Sequence, residues 1–312
     1  MSMRHPGASS VASAHRLRAM AAVALVALAV GAVVVGARAL GRHTSTGTAD
    51  AVQAWTLRPN VPLSNGELEH AAKVIRDRLS AVGISAEVRV QADVLTLTLP
   101  PNRFSRATLE QITSRGDVQV RQVMRSGETS TSPDARHIPQ ARPFPTASAA
   151  LKAWSSQADC PAAPPGTDNP VPHGQFIIAC DPTATQRFIL ANSGLASNDL
   201  ASAIAEVTAD GSFVIVTVAR RSVLHADALV ARVKLQPAVP RCDASFGCNE
   251  IALVVDGVVL DHPAIEGVPP RQMLQFMIPP ASAPARAVAA IVTTGPLMTG
   301  FTIESDRGGR TG

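Results

Sequence analysis

The sequence predicts an α+β protein carried behind a single membrane helix, and three observations predict it. Residues 19–37 (AMAAVALVALAVGAVVVGA) form an apolar run without a charge. From about residue 51 onward, segments of alternating apolar residues interleave with segments of helical spacing. All four cysteines lie in that downstream part, as in chains that fold in an oxidising compartment.

The apolar run comes first. Nineteen helical residues span about 28 Å, close to the ~30 Å hydrocarbon core of a bilayer. Arg4, Arg16 and Arg18 precede the run and Arg38 and Arg42 follow it, a bias that favours a cytoplasmic N-terminus. A cleavable signal peptide is the rival reading, because Ala37-Arg38-Ala39 loosely matches a cleavage site, but the run is long for one. The expected order is a cytoplasmic tail at 1–18, a transmembrane helix at 19–37 and a linker at 38–50.

Regular elements follow. Val52–Leu57 is a strand. Ser64-Asn65-Gly66-Glu67 is a capping box, opening a helix with Leu68, Ala72, Ile75 and Leu79 on one face and Gly83 at its end. Ala86, Val88 and Val90 alternate, as do Leu95, Leu97 and Leu99. Ser105 caps a second helix carrying Leu109 and Ile112, ended by Gly116, and Val118 and Val120 share one face of a last strand. Strand, helix, strand, strand, helix, strand is the ferredoxin-like order, assigned to residues 51–124.

Residues 125–172 are rich in Pro, Ser, Thr and Ala, with only Ala147–Gln157 helical, and introduce a second α+β subdomain. Phe176–Cys180 is a strand. Asp181-Pro182 predicts a helix start running through Phe188 and Leu190. Asp210-Gly211 joins Ala203–Thr208 to Phe213–Val218 as a hairpin, and Arg221–Leu235 is helical. Asp256-Gly257, the preferred turn pair, closes a hairpin between Ile251–Val255 and Val258–Asp261. Met273–Ile278 is a strand, Ala285–Thr294 a helix stopped by Gly295-Pro296, and Leu297–Ile303 a final strand.

Composition excludes several function classes. The net charge of +4 comes from the five arginines of the first 43 residues; without them 23 basic residues face 24 acidic ones. The remainder is not a nucleic-acid surface. With no tyrosine and only Trp55 and Trp154, there is no aromatic platform for sugars or bases. No nucleophile elbow, phosphate loop, zinc-protease or dinucleotide motif occurs, so neither an enzyme nor a cofactor is expected. Asp256, Asp261 and His262 suggest a metal site only weakly; a turn and a strand end explain them better.

Four cysteines allow three pairings. Two local bridges are favoured, Cys160 with Cys180 around a Pro/Gly-rich loop and Cys242 with Cys248. Closing the longer loop contributes about 3 kcal/mol in the chain-entropy picture. Zinc is the rival, but close Cys or His spacing is missing.

Three stretches together resemble one family. VIRDRLSAVGISAEVRVQADVLTLTLP (Val74–Pro100) followed by GDVQVRQVM (Gly116–Met124), the hairpin IALVVDGVVLDHPAIE (Ile251–Glu266), and MLQFMIPPASAPARAVAAIVTTGPLMTGFTIES (Met273–Ser305) occur in the order found in the first periplasmic domain of SecD, of the SecD/SecF export machinery. The resemblance implies a base at 51–124, an inserted head at 125–280, a helix and strand returning to the base at 281–305 and a flexible tail at 306–312. It further implies a partner: emerging, unfolded preprotein, together with subunits of the Sec translocon. The family's membrane carboxylates have no counterpart between Gly41 and Gly312, so no proton coupling is expected of this stretch. Phe246, Phe213 and Phe188 are the candidate polypeptide contacts; Phe246 stands out because it lies between Cys242 and Cys248. The alternative is a divergent envelope module with one folded partner and no export role.

Overall fold

The computed structural model describes residues 53–100, 105–129, 138–156, 160, 162–163, 171–209, 211–237, 247–265, 272–278 and 285–306. The expected tail, membrane helix and linker lie outside them. Among the described residues no helix is long and apolar enough to cross a membrane. From residue 50 on, the chain packs as one unit of mixed α+β structure, mostly sheet.

β1 (Gln53–Pro59) leads into α1 (Asn65–Ala81). The capping box forms: Ser64 Oγ accepts the Glu67 amide at 3.4 Å and Glu67 Oε2 accepts the Ser64 amide at 2.7 Å. These bonds satisfy donors that the first helical turn leaves free. The Ser64 hydroxyl, then its amide, hold the Glu67 carboxyl below its usual range. β2 (Glu87–Gln91) and β3 (Val94–Leu99) form a hairpin whose turn places Ala92 at φ 53°. Ser105 caps α2 (Arg106–Ile112) by accepting the Thr108 amide at 3.2 Å.

β4 (Val118–Glu128), β5 (Ile138–Pro139), β6 (Arg142–Phe144), α3 (Ala147–Ser156), β7 (Ala162–Ala163) and β8 (Phe176–Cys180) come next. They are followed by β9 (Gln186–Ala196), β10 (Leu200–Thr208), β11 (Gly211–Val218) and α4 (Val223–Lys234). β12 (Ile251–Val255), β13 (Val258–Asp261), β14 (Met273–Ile278), α5 (Ala285–Thr294) and β15 (Phe301–Asp306) are the last described elements. Among the described residues the strands form four sheets, in the orders β15-β1-β3-β2, β10-β11-β14, β13-β12-β4-β9-β8-β6 and β5-β7.

Three expectations need correction. The helix predicted from Asp181-Pro182 through Phe188 and Leu190 is instead a tight turn and strand β9. Asp181 Oδ1 accepts the Gln186 amide at 2.7 Å and the Asp181 amide bonds Gln186 O at 3.0 Å, which closes a β8–β9 hairpin. An aspartate that caps a helix also closes an Asx-type turn, so the same dipeptide serves both. Val118 and Val120 do not complete the first sheet. β4 is buried from Val118 through Met124 and lies between β12 and β9 in the six-stranded sheet. The place beside β1 belongs to β15, with Leu57 opposite Ile303 and Pro59 opposite Phe301. That last strand begins at Phe301 rather than Leu297, because Gly295 to Gly300 turns the chain.

α5 sits at the centre. Ala285 and every residue from Ala287 through Val292 are buried, as expected of a helix that is apolar on all but the face of Arg286 and Thr293. Ala287 packs with Leu68, Ile75 and Leu97, whereas Val288, Ile291 and Val292 pack with Val214, Val216 and Phe276. One helix thereby joins the cores of the four-stranded and three-stranded sheets. At the far end of the six-stranded sheet, α3 is pinned by buried Trp154, over which the Arg187 guanidinium stacks 3.9 Å from the ring centroid.

Cys160 and Cys180 are joined, with an S–S distance of 2.03 Å. Cys248 is also disulfide-bonded, while Cys242 lies outside the described residues. Among the described residues no group of His, Cys, Asp or Glu is arranged to hold a metal ion.

Candidate functional site

Strict alternation in β11 and β14 divides the three-stranded sheet into two faces. Val214, Val216, Val218, Leu274, Phe276 and Ile278 point into the core. The intervening residues form three cross-strand rows on the other side: Ser202–Thr217–Met273, Ile204–Ile215–Gln275 and Glu206–Phe213–Met277. Ile204 is 57% exposed, Met277 50% and Met273 44%, and Phe213 and Ile215 are half-buried. Scattered apolar side chains on a surface need no explanation. A face that groups Ile204, Ile215, Phe213, Met273 and Met277 among four polar residues does, because flexible thioethers beside apolar side chains adapt to varied partners.

Polar bonds fix this sheet in place. Asp261 Oδ2, at the end of β13, accepts the Met277 amide at 2.7 Å. Burial pushes the Asp261 carboxyl up, against the pull of that amide. Thr293 of α5 clasps the edge strand β10: its Oγ1 accepts the Ala203 amide at 3.0 Å and donates to Ala203 O at 3.2 Å. That covers one backbone pair on an otherwise open edge. Asp199 Oδ1 accepts the Ser222 hydroxyl at 2.6 Å, tying the start of β10 to the start of α4.

A second polar node holds the sheets to one another. Arg78 of α1 is wholly buried. Its Nη1 donates to Ile112 O and Ser114 O, both at 2.8 Å, and its Nη2 to Gly295 O at 2.7 Å and Arg115 O at 3.2 Å. Nε donates to Thr294 Oγ1 at 3.1 Å. One guanidinium thus caps the C-terminal ends of α2 and α5, where carbonyls lack helical partners and the dipole favours a cation. Gly116 makes room for it: a Cβ there would lie 2.5 Å from Arg78 Nη2, and φ is +73°.

Asp256 completes the node. It occupies the β12–β13 turn at φ 49°, followed by Gly257 at φ 82°, a backbone that suits Asp-Gly. Its carboxylate accepts the Gly116 amide at 2.9 Å and the Asp117 amide at 2.8 Å. The Ser114 hydroxyl approaches it but falls short of hydrogen-bond geometry. Burial pushes Asp256 up, opposed by these amides and by Arg78. Burial likewise lowers Arg78 to about 10, opposed by Asp256, which leaves the guanidinium charged at neutral pH.

The sequence candidates fall in different places. Phe213 lies in the exposed apolar face. Phe188 is fully buried, its ring 4.8 Å from that of His262, so it presents nothing to a bound chain. Phe246 lies outside the described residues. Asp256, Asp261 and His262 do not converge. The two carboxylates bind amides as described, and His262 Nδ1 pairs with Glu250 Oε2 at 3.0 Å, a bond that raises the imidazole's affinity for its proton. Ile204, Glu206, Ile215, Met273 and Met277 were not singled out from sequence. The alternation in MLQFMI marked two faces but not which of them meets water. Arg78 was legible in principle, since it falls inside the apolar stripe of α1, between Ile75 and Leu79.

No family model and no curated protein matches the chain. Solved structures do. A crystal structure of SecDF in a super-membrane-facing form is 18% identical, with a TM-score of 0.47, over 82% of this chain and 30% of that one. A structure of SecDF, a membrane component that enhances protein export, is 16% identical, with a TM-score of 0.44, over 81% of this chain and 99% of that one. The chain therefore spans less than a third of the first structure's length.

Proposed function

We propose that this chain is a SecD-like accessory of protein export that binds emerging, unfolded polypeptide and is not an enzyme. In this reading Ala19–Ala37 is a single membrane anchor with a cytoplasmic N-terminus, and the rest of the chain works outside. The observation that carries the reading is the exposed apolar face around Phe213, Met273 and Met277. An extended chain offers apolar side chains at regular spacing, and a flat sheet face with flexible thioethers accommodates many such sequences. The ordered SecD-like motifs support the same reading. So does the strand order β15-β1-β3-β2 with α1, α2 and α5 packed around one core, which fits a ferredoxin-like base completed by the returning strand. The six-stranded and three-stranded sheets then make up the head.

Site-specific photo-crosslinking in cells tests it, with the probe at Phe213 or Met277 and a secretory precursor stalled in export. The expected result is crosslinks to the precursor or to translocon subunits. Crosslinks to one unrelated folded envelope protein, with no precursor, would overturn the export reading in favour of a dedicated interaction module.

A further inference from the structure

The outward face of the three-stranded sheet is not neutral. Its three rows contain nine residues, of which Glu206 alone is charged. Glu206 is exposed and has no hydrogen-bond or ion-pair partner among the described residues. Two other carboxylates that touch this sheet differ: Asp199 is taken up by Ser222 and Asp261 by the Met277 amide. Glu206 instead stands in one row with Phe213 and Met277, and two residues along its strand from Ile204.

We propose that Glu206 gives this face a charge preference, selecting extended aliphatic segments that carry a lysine or arginine over segments that carry a carboxylate. The inference rests on the reading that the face holds unfolded polypeptide. Covering a carboxylate with an apolar chain removes its water and is unfavourable unless a partner is supplied. A cation on the incoming segment supplies one, while a carboxylate adds like-charge repulsion; discrimination comes from the second effect as much as from the first. Geometry sets the register. Successive rows lie two residues apart along the strands, about 7 Å. A segment aligned with the strands therefore places its basic residue over the Glu206 row and the aliphatic residue two positions away over the row of Ile204 and Ile215. The same charge disfavours a second copy docked face to face, because a two-fold contact brings two Glu206 side chains toward one surface patch.

The test uses the full chain and three short fluorescent peptides that alternate valine and serine around a central lysine, glutamine or glutamate. Binding is followed by anisotropy at low and high salt. The lysine peptide is expected to bind about fivefold more tightly than the glutamate peptide at low salt, with the gap closing as salt rises. Glu206→Gln abolishes the preference and Glu206→Lys reverses it, with unchanged thermal unfolding. Equal binding of all peptides, or a preference that survives Glu206→Gln, overturns the charge preference and leaves the polypeptide-binding reading standing. Failure of every peptide to bind, by wild type and variants alike, overturns both.

Discussion

Replacing Arg78 with methionine tests whether one buried cation holds the sheets together. Methionine keeps much of the side-chain length but donates nothing, so five hydrogen bonds are lost. Four of the acceptors are backbone carbonyls at or just beyond helix ends, of Ile112, Ser114, Arg115 and Gly295. Orphaned buried acceptors cost about 1–3 kcal/mol each. Relief from burying the cation offsets part of this, which leaves a net loss of about 4 kcal/mol. That is a large share of a typical domain's ~5–15 kcal/mol. Urea unfolding of the Arg78→Met variant should show a lower midpoint with an unchanged slope. Hydrogen exchange should also speed up at the Gly116 and Asp117 amides, because Asp256, which they bond, loses its countercharge. The effect of Asp256→Asn should be less than additive with that of Arg78→Met, since the two share a node. A loss below about 1 kcal/mol at constant slope, with those amides as protected as before, would refute the reasoning.

Other perturbations follow from single contacts. The Glu250 bond raises His262 above its usual 6.5, so this pairing stabilises the fold at pH values below the unfolded value and the contribution disappears as pH rises through the folded one. His262→Gln should therefore lower the melting temperature more at about pH 5.5 than at about pH 8.5, over a constant loss of packing against Phe188. Ala92 holds a left-handed backbone at φ 53°; Ala92→Gly should raise stability by about 0.5–1 kcal/mol in urea titrations. Trp154→Ala, which empties the space under Arg187, should cost about 3–5 kcal/mol in the same assay. Phe213→Ser should weaken capture of an unfolded precursor while shifting the urea midpoint little, as the ring is only half-buried.

Local chemistry was the legible part of this sequence. The Ser64–Glu67 box, the Asp256-Gly257 turn, the strand at Met273–Ile278 and the helix stopped by Gly295-Pro296 are each specified within a few residues, and each appears where the residues place it. Long-range choices were not legible. Nothing in the alternation of Val118 and Val120 says that β4 joins β12 and β9 instead of β1, because partner choice is made by segments more than sixty residues away. Asp181-Pro182 misled because helix caps and tight turns use the same side-chain oxygen. The candidate site was half legible. Phe213 could be named, but the row it shares with Glu206 and Met277 exists only once three distant strands are in register. Asp256 was read as a turn residue, and its second task, binding the amides of Gly116 and Asp117, depends on a segment some 140 positions earlier.

The central position of α5 has a consequence for the timing of folding. Residues 285–294 fill the space between two cores, yet they come near the end of the described chain, and β15 beyond them pairs with the first strand across about 250 positions. A chain that emerges from its N-terminus must wait with both cores open until this helix arrives. Contacts so far apart in sequence make folding slow and leave apolar surface uncovered in the interval. Truncation before residue 285 should thus yield an aggregation-prone product, not a smaller stable domain. Early-emerging residues of this protein would themselves need protection of the kind its apolar face is proposed to give to others.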